Sequence, residues 1–373
     1  MLAGLVKLAL GNLHSMVLYK DGSVWSTGAT VGGPVGRFAQ VFSSGVTAIA
    51  AGPGFSMVLK QDGSVWATGQ NSNGQFGDGT RNSKDTFFFV QAIPGAKDVA
   101  TGGHHSMVLT NEGRIWATGW NKYGQLGDGS KTGKRIFFLS ITYGAKAIAA
   151  GDIHSVMLNS DASVWAAGRN SNGQLGDGST DDRNIFVMVI SKGAAHVAAG
   201  GYHTMVLKAD GSVWTTGWNK YGQLGDGSAI DRMKFEQVVS SGAKAIAAGS
   251  RHSMVLKQDG SVWATGYNIY GQLGDGSTIN SEIFVQVISG EVRFVAAGAF
   301  HSMVIKEGNS IWATGANQHG QFGDGTTVSS NTFVKLTLFD NHMGQHKTCS
   351  HGSICMTAQY CKWTIWHTPQ FSV

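Results

Sequence analysis

"HSMVLKQDGSVWATGYNIYGQLGDGS", residues His252 to Ser277, recurs in close copies along most of the 373-residue chain. The Trp of its "SVW" segment returns at Trp25, Trp66, Trp116, Trp165, Trp214, Trp263 and Trp312, in steps of 41, 50 and then four times 49 residues. Self-similarity at a period of about 40 to 50 residues marks a stacked or circular repeat architecture, so the fold follows from what one unit becomes.

One unit reads as four strands. In the sixth copy, "KAIAAG" (244–249), "HSMVLK" (252–257), "SVWATG" (261–266) and "IFVQVIS" (283–289) are short runs bounded by Gly, Asp, Asn and Ser. Such runs are too short for helices and are rich in strand formers. Asp259-Gly260 between the second and third runs predicts a tight hairpin with a type I′ turn. "SMVL" and "VWAT" are apolar on both faces, which suits a small sheet sandwiched between two like sheets. The small residues of "AIAAG" place that strand innermost, where sheets converge on an axis. Trp263, present in every copy, is expected in the core. The expected fold is all-β, a seven-bladed propeller of four-stranded blades spanning residues 1–339, with an open β-solenoid as the alternative.

Composition agrees. The chain has 54 Gly and only 14% charged residues, so turns are many and charged helical faces few. Its 28 Lys plus Arg against 23 Asp plus Glu are spread thinly over the repeats, without the basic runs of nucleic-acid binding. No apolar run reaches membrane-span length, and the opening "LAGLVKLAL" lacks the flanks of an export signal. A monomer in a cytoplasmic or nuclear setting is expected.

The consensus "GxxHSMVLxxDGSVWATGxNxxGQLGDGS" is similar to the repeat of the regulator of chromosome condensation family, and the likeness covers roughly residues 5–338. That resemblance implies a seven-bladed propeller. It leaves the task open, because family functions include nucleotide exchange on the Ran GTPase, chromatin docking, ultraviolet-B sensing in plants and bacterial inhibition of β-lactamase. The plant photoreceptors would call for Trp in the pair before each repeat His, and no copy has one there. Ran exchange would call for a wedge-like insertion, and copies three to seven keep nearly constant length.

Three motifs are candidates for chemistry. His14, His105, His154, His203, His252 and His301 recur after the innermost strand, with Phe55 in the second copy. A ring of His suggests metal, but Phe55 shows that the position accepts a non-ligand, so a packing role is expected and no metal or cofactor is predicted. The "NxxGQLGDG" loops lack the Lys-Ser/Thr of a phosphate loop, and Asp226 and Asp275 lack the alternating oxygens of a calcium loop; both read as turn residues. No nucleophile–base or paired-carboxylate constellation stands out, and no enzyme is predicted.

Positions that vary between copies are free to recognise something. They fall in the loop after the first strand and the loop after the third, which emerge on one face of an up-and-down blade. Trp120, Tyr123, Tyr202, Trp218, Tyr221, Arg251, Tyr267, Tyr270 and Phe300 enrich that face in the residue types of protein-binding hot spots. They are expected at exposed loop tips, where neutral drift is the competing explanation. The reading is a non-catalytic protein-interaction propeller. The alternatives are a guanine-nucleotide exchange regulator of a small GTPase and a secreted enzyme inhibitor of the β-lactamase-inhibitor type.

Both ends break the pattern. Copy one replaces the "NxxGQLGDG" loop by "GATVGGPVGRFAQVFSSG", and after residue 339 the grammar stops. Residues 340–373 read as an atypical tail that is disordered, degenerate or frameshifted, with "HGSICMT" resembling a decayed "DGSVWAT". Cys349, Cys355 and Cys361 are spaced six apart, without the Cys-x-x-Cys of a zinc site.

Overall fold

The computed structural model describes residues 4–29 and 36–337; the tail readings for 340–373 fall outside them. Twenty-eight strands form seven four-stranded antiparallel sheets, each built from consecutive strands in simple up-and-down order. The blades occupy 5–42, 46–92, 96–141, 145–190, 194–239, 243–288 and 292–335. No helix among the described residues is long and apolar enough to cross a membrane.

Blade six shows why the repeat folds this way. Its strands are Ala243–Ala248, His252–Lys257, Val262–Gly266 and Ser281–Ile288. The second strand is buried along almost its whole length, since neighbouring blades cover both its faces. The small residues of the first strand surround a narrow axial channel, as expected.

Two sequence expectations are corrected. The hairpin at Asp259-Gly260 is not type I′, because Gly260 has φ 79° while Asp259 stays at negative φ. Gly260 N–H donates to the Lys257 carbonyl and Lys257 N–H to that of Ser261, a three-residue loop with glycine in the left-handed position. The Asp259 carboxylate accepts from Ser261 N–H at 2.9 Å, which explains why Asp precedes Gly. Ala162 occupies the glycine register in blade four at φ 64°. Ala162→Gly is therefore expected to stabilise the protein by about 0.5–1 kcal/mol in a urea titration, because the strain relieved exceeds the added unfolded-state freedom.

The second correction concerns the repeat Trp. Trp263 is only partly buried, at the border of the core of blade five. Its outer face is covered by the Lys257 ammonium, 4.1 Å from the ring, and its N–H donates to Ser261 Oγ at 3.1 Å. Trp263→Ala should cost about 2 kcal/mol, below the range for a fully buried aromatic, as read from the denaturation midpoint.

The fixed residues of the "NxxGQLGDG" loop join blades. Asn268 Oδ1 accepts from Leu273 N–H at 2.9 Å and its amide donates to Asp275 at 3.1 Å, closing the loop on itself. The loop then reaches blade seven, where Thr314 donates to the Gly271 carbonyl, Ser302 to that of Gln272, and Asp275 bridges Thr332. Phe333 of blade seven packs on Gly274, where a Cβ would come within 2.5 Å of the ring.

Each repeat His spans the same seam. His252 Nε2 lies 2.8 Å from Ser302 Oγ, and equivalent pairs join His105 to Ser155, His154 to Thr204 and His203 to Ser253. Because Ser302 gives its only proton to the Gln272 carbonyl, the imidazole must donate through Nε2–H, which leaves a neutral ring with Nδ1 buried and without a partner. The packing role expected for these residues is thus a hydrogen bond to the next blade.

Ring closure uses the same parts. His301 meets Ser15 at 2.9 Å, Ser15 donates to the Gln321 carbonyl, Thr27 to that of Gly320, and Asp324 bridges Arg37. Among the described residues, no strand is exchanged between the first and last blades.

Candidate axial aromatic face

The loops after the first and third strands do emerge together, around a funnel of about 350 Å³ above the axial channel. Trp120, Tyr202, Arg251 and Phe300 line it, along with His104, Asp152 and Arg169. The fixed part of each loop sets these positions. In blade six, Tyr267 N–H donates to the Arg251 carbonyl at 2.9 Å, which ties the two variable loops together. Tyr270 N–H donates to the Gln272 side chain at 3.1 Å.

Seven of the nine predicted residues form one continuous array on blades five to seven. Tyr202, Trp218, Tyr221, Tyr267, Tyr270 and Phe300 follow one another at ring-centre spacings of 5.7, 5.3, 4.8, 6.4 and 5.3 Å, mostly edge to face. The Arg251 guanidinium sits 5.7–5.8 Å from the rings of Trp218, Tyr221 and Tyr267. Trp120 and Tyr123 form a separate pair on blade three, 5.3 Å apart. Blades one and two contribute no aromatic at the described loop positions: Leu13, Ala29, Pro53, Gly54, Gln70 and Asn73 stand there.

All nine residues are partly buried, which corrects the expectation of exposed tips. They shield one another, since neighbouring blades bring the same loop register within ring-contact distance. Ala substitutions here are accordingly expected to cost about 1 kcal/mol each, more than a typical surface change.

The sequence places His104 and Asp152 in the variable first loops without counting them among the binding residues, and Arg169 is missed altogether. Arg169 was legible, because it holds in blade four the register of Trp120, Trp218 and Tyr267. Its guanidinium lies 5.1 Å from the Tyr123 ring and donates to Ser171 Oγ. His104 meets Trp120 edge to face at 5.6 Å, and burial lowers its pKa. Asp152 sits at the channel mouth, where burial raises its carboxyl to about 6 against the opposing pull of Arg251. Burial also raises the Tyr202 and Tyr267 hydroxyls.

Like seams around a glycine-lined axis, six of them carrying a His hydrogen bond to the next blade, and variable loops gathered on one face define a repeat propeller. The chain belongs to the RCC1-like family: the RCC1-like domain matches residues 2–283 and the regulator of chromosome condensation (RCC1) repeat matches 292–321. Similar solved structures include human WBSCR16, at 21% identity and TM-score 0.73, with 81% of this chain and 84% of that chain covered. Prp20p of Saccharomyces cerevisiae is similar at 21% identity and TM-score 0.68, with 79% and 80% covered. Yeast RCC1 (Prp20) bound to Kap60 gives 20% identity and TM-score 0.72, with 83% and 79% covered. These likenesses show the shared fold. No curated protein sequence matches the chain.

Proposed function

We propose that this protein is a non-catalytic interaction propeller that binds a protein partner through the aromatic face of blades three to seven. The observation that carries this reading is the Arg251-centred array, a partly desolvated cluster of Trp, Tyr, Phe and Arg, the composition of interface hot spots. The asymmetry of the face supports it too, since an array needed only for blade packing would run around the whole ring. Among the similar structures, Prp20p is described by its binding to Gsp1p and histones and was solved bound to Kap60.

The test is capture of partners on the intact protein, identification by mass spectrometry, and titration of the purified partner against variants. Trp218→Ala and Phe300→Ala should each weaken binding by about 2 kcal/mol, roughly thirtyfold, while Lys257→Ala on the opposite face leaves it unchanged. Binding lost in Lys257→Ala and kept in the loop variants would assign the other face. Accelerated nucleotide release from a captured small GTPase would turn the reading toward exchange.

A further inference from the structure

The four arginines of blades four to six fall into two kinds. Arg183 and Arg232 are paired with Asp177 and Asp226 at 2.7 and 2.6 Å, and those pairs fix loop to strand. Arg169, after the third strand of blade four, and Arg251, in the first-strand loop of blade six, have no carboxylate within ion-pair distance among the described residues. Arg169 donates to Ser171 and otherwise faces Tyr123; Arg251 lies against three rings and acts on the Asp152 carboxylate only by charge, beyond ion-pair distance. Both line the same funnel. Both guanidiniums are half-buried and keep unspent N–H donors, which a carboxylate guest would complete with charge-assisted hydrogen bonds.

Nearby carboxylates are already spent elsewhere. Asp231 accepts from Asn219 N–H and from the Asn172 amide, and Asp182 from Asn170 N–H. Asp152 is the exception, a carboxylate lining the funnel that accepts no side-chain or backbone hydrogen bond among the described residues and feels only the charge of Arg251. The funnel therefore holds two cations and one anion. That balance suits a singly charged guest; a phosphate, with nearly two charges at neutral pH, would face the Asp152 carboxylate.

We propose, resting on the binding-face reading above, that the funnel receives an Asp or Glu side chain of the protein partner, held by Arg169 and Arg251 against the walls of Trp120, Tyr202 and Phe300. Asp152 limits the affinity and sets the preference for a single negative charge.

The experiment titrates the intact protein with a fluorescein-labelled Glu-Leu-Glu tripeptide amide, its Gln-Leu-Gln counterpart and a phosphoserine counterpart. The Glu peptide should bind about tenfold tighter than the Gln peptide, and Arg169→Gln should remove that advantage. Asp152→Asn should tighten the Glu peptide at least threefold, a gain that a misfolded variant cannot imitate. Equal binding of the Glu and Gln peptides, or binding of neither, overturns the proposal. Tightest binding of the phosphoserine peptide also overturns it and assigns a phosphate guest. If Arg169→Gln leaves the captured partner's affinity unchanged while Trp218→Ala and Phe300→Ala weaken it, the docking face stands and the carboxylate guest alone falls.

Discussion

Lowering the pH from 7.5 to 5 is expected to remove most or all of the folding stability, through the buried histidine ring. In the folded state burial holds His105, His154, His252 and His301 at about 3 and His14 and His203 at about 4. An unfolded histidine takes its proton near pH 6.5. Between those values the unfolded chain binds more protons than the folded one, so stability is complete above about pH 6.5 and falls as the pH drops toward 4. At pH 5 each histidine costs up to about 2 kcal/mol, and six together about 10 kcal/mol, which is comparable with the whole stability of a domain. Asp152, whose folded pKa is raised, runs in the opposite sense and offsets about 1 kcal/mol of this. Urea midpoints followed by circular dichroism from pH 8 to 4 measure the effect. His252→Phe, which repeats in blade six what Phe55 does in blade two, should reduce proton uptake on unfolding by close to one proton. A midpoint that stays constant from pH 7.5 to 5 would sink the idea.

Gly249→Ala is expected to be among the most destabilising single changes, about 3 kcal/mol or more. An added Cβ would lie 2.4 Å from the Gly298 carbonyl of the next blade and 2.5 Å from His252 Cε1. Neither neighbour can yield cheaply. The Gly298 carbonyl accepts from Ser250 N–H at 3.2 Å, and the His252 ring is held by Ser302 at 2.8 Å. In a closed ring, relief at one seam must be taken up by the other six. Gly290→Ala is the control, since its nearest neighbour would be 3.6 Å away. That change should stay within about 0.5 kcal/mol. Comparable melting of the two variants would show that the axis is looser than its geometry implies.

The local grammar of the repeat was open to sequence reading because its causes are local. Alternation, turn residues and small side chains act over four to ten positions. The 49-residue period therefore revealed blade number, strand count and the innermost strand from residues alone. The two variable loops and their shared face followed from the antiparallel order, and eight funnel and array residues, with Tyr123 beside them, were named on type and variability.

What remained illegible depends on partners far apart in the chain. His252 meets Ser302 50 residues away and His301 meets Ser15 286 residues away, so a recurring His could be read as ligand or as packing until the seams were seen. Trp263 recurs like a core residue, yet only the packed blades show that one face is left to Lys257. Type I′ and the three-residue hairpin share the same Asp-Gly signal, and backbone geometry decides between them. Tyr221 and Tyr267 lie on different blades, and no spacing rule foretells that their rings meet at 4.8 Å. The sequence by itself determined seven like blades and which of their positions are individual. The tertiary structure decided how the ring closes, what each histidine holds, and that the individual positions of blades five to seven form one array around Arg251, because circular closure alone brings distant copies of the same register into contact.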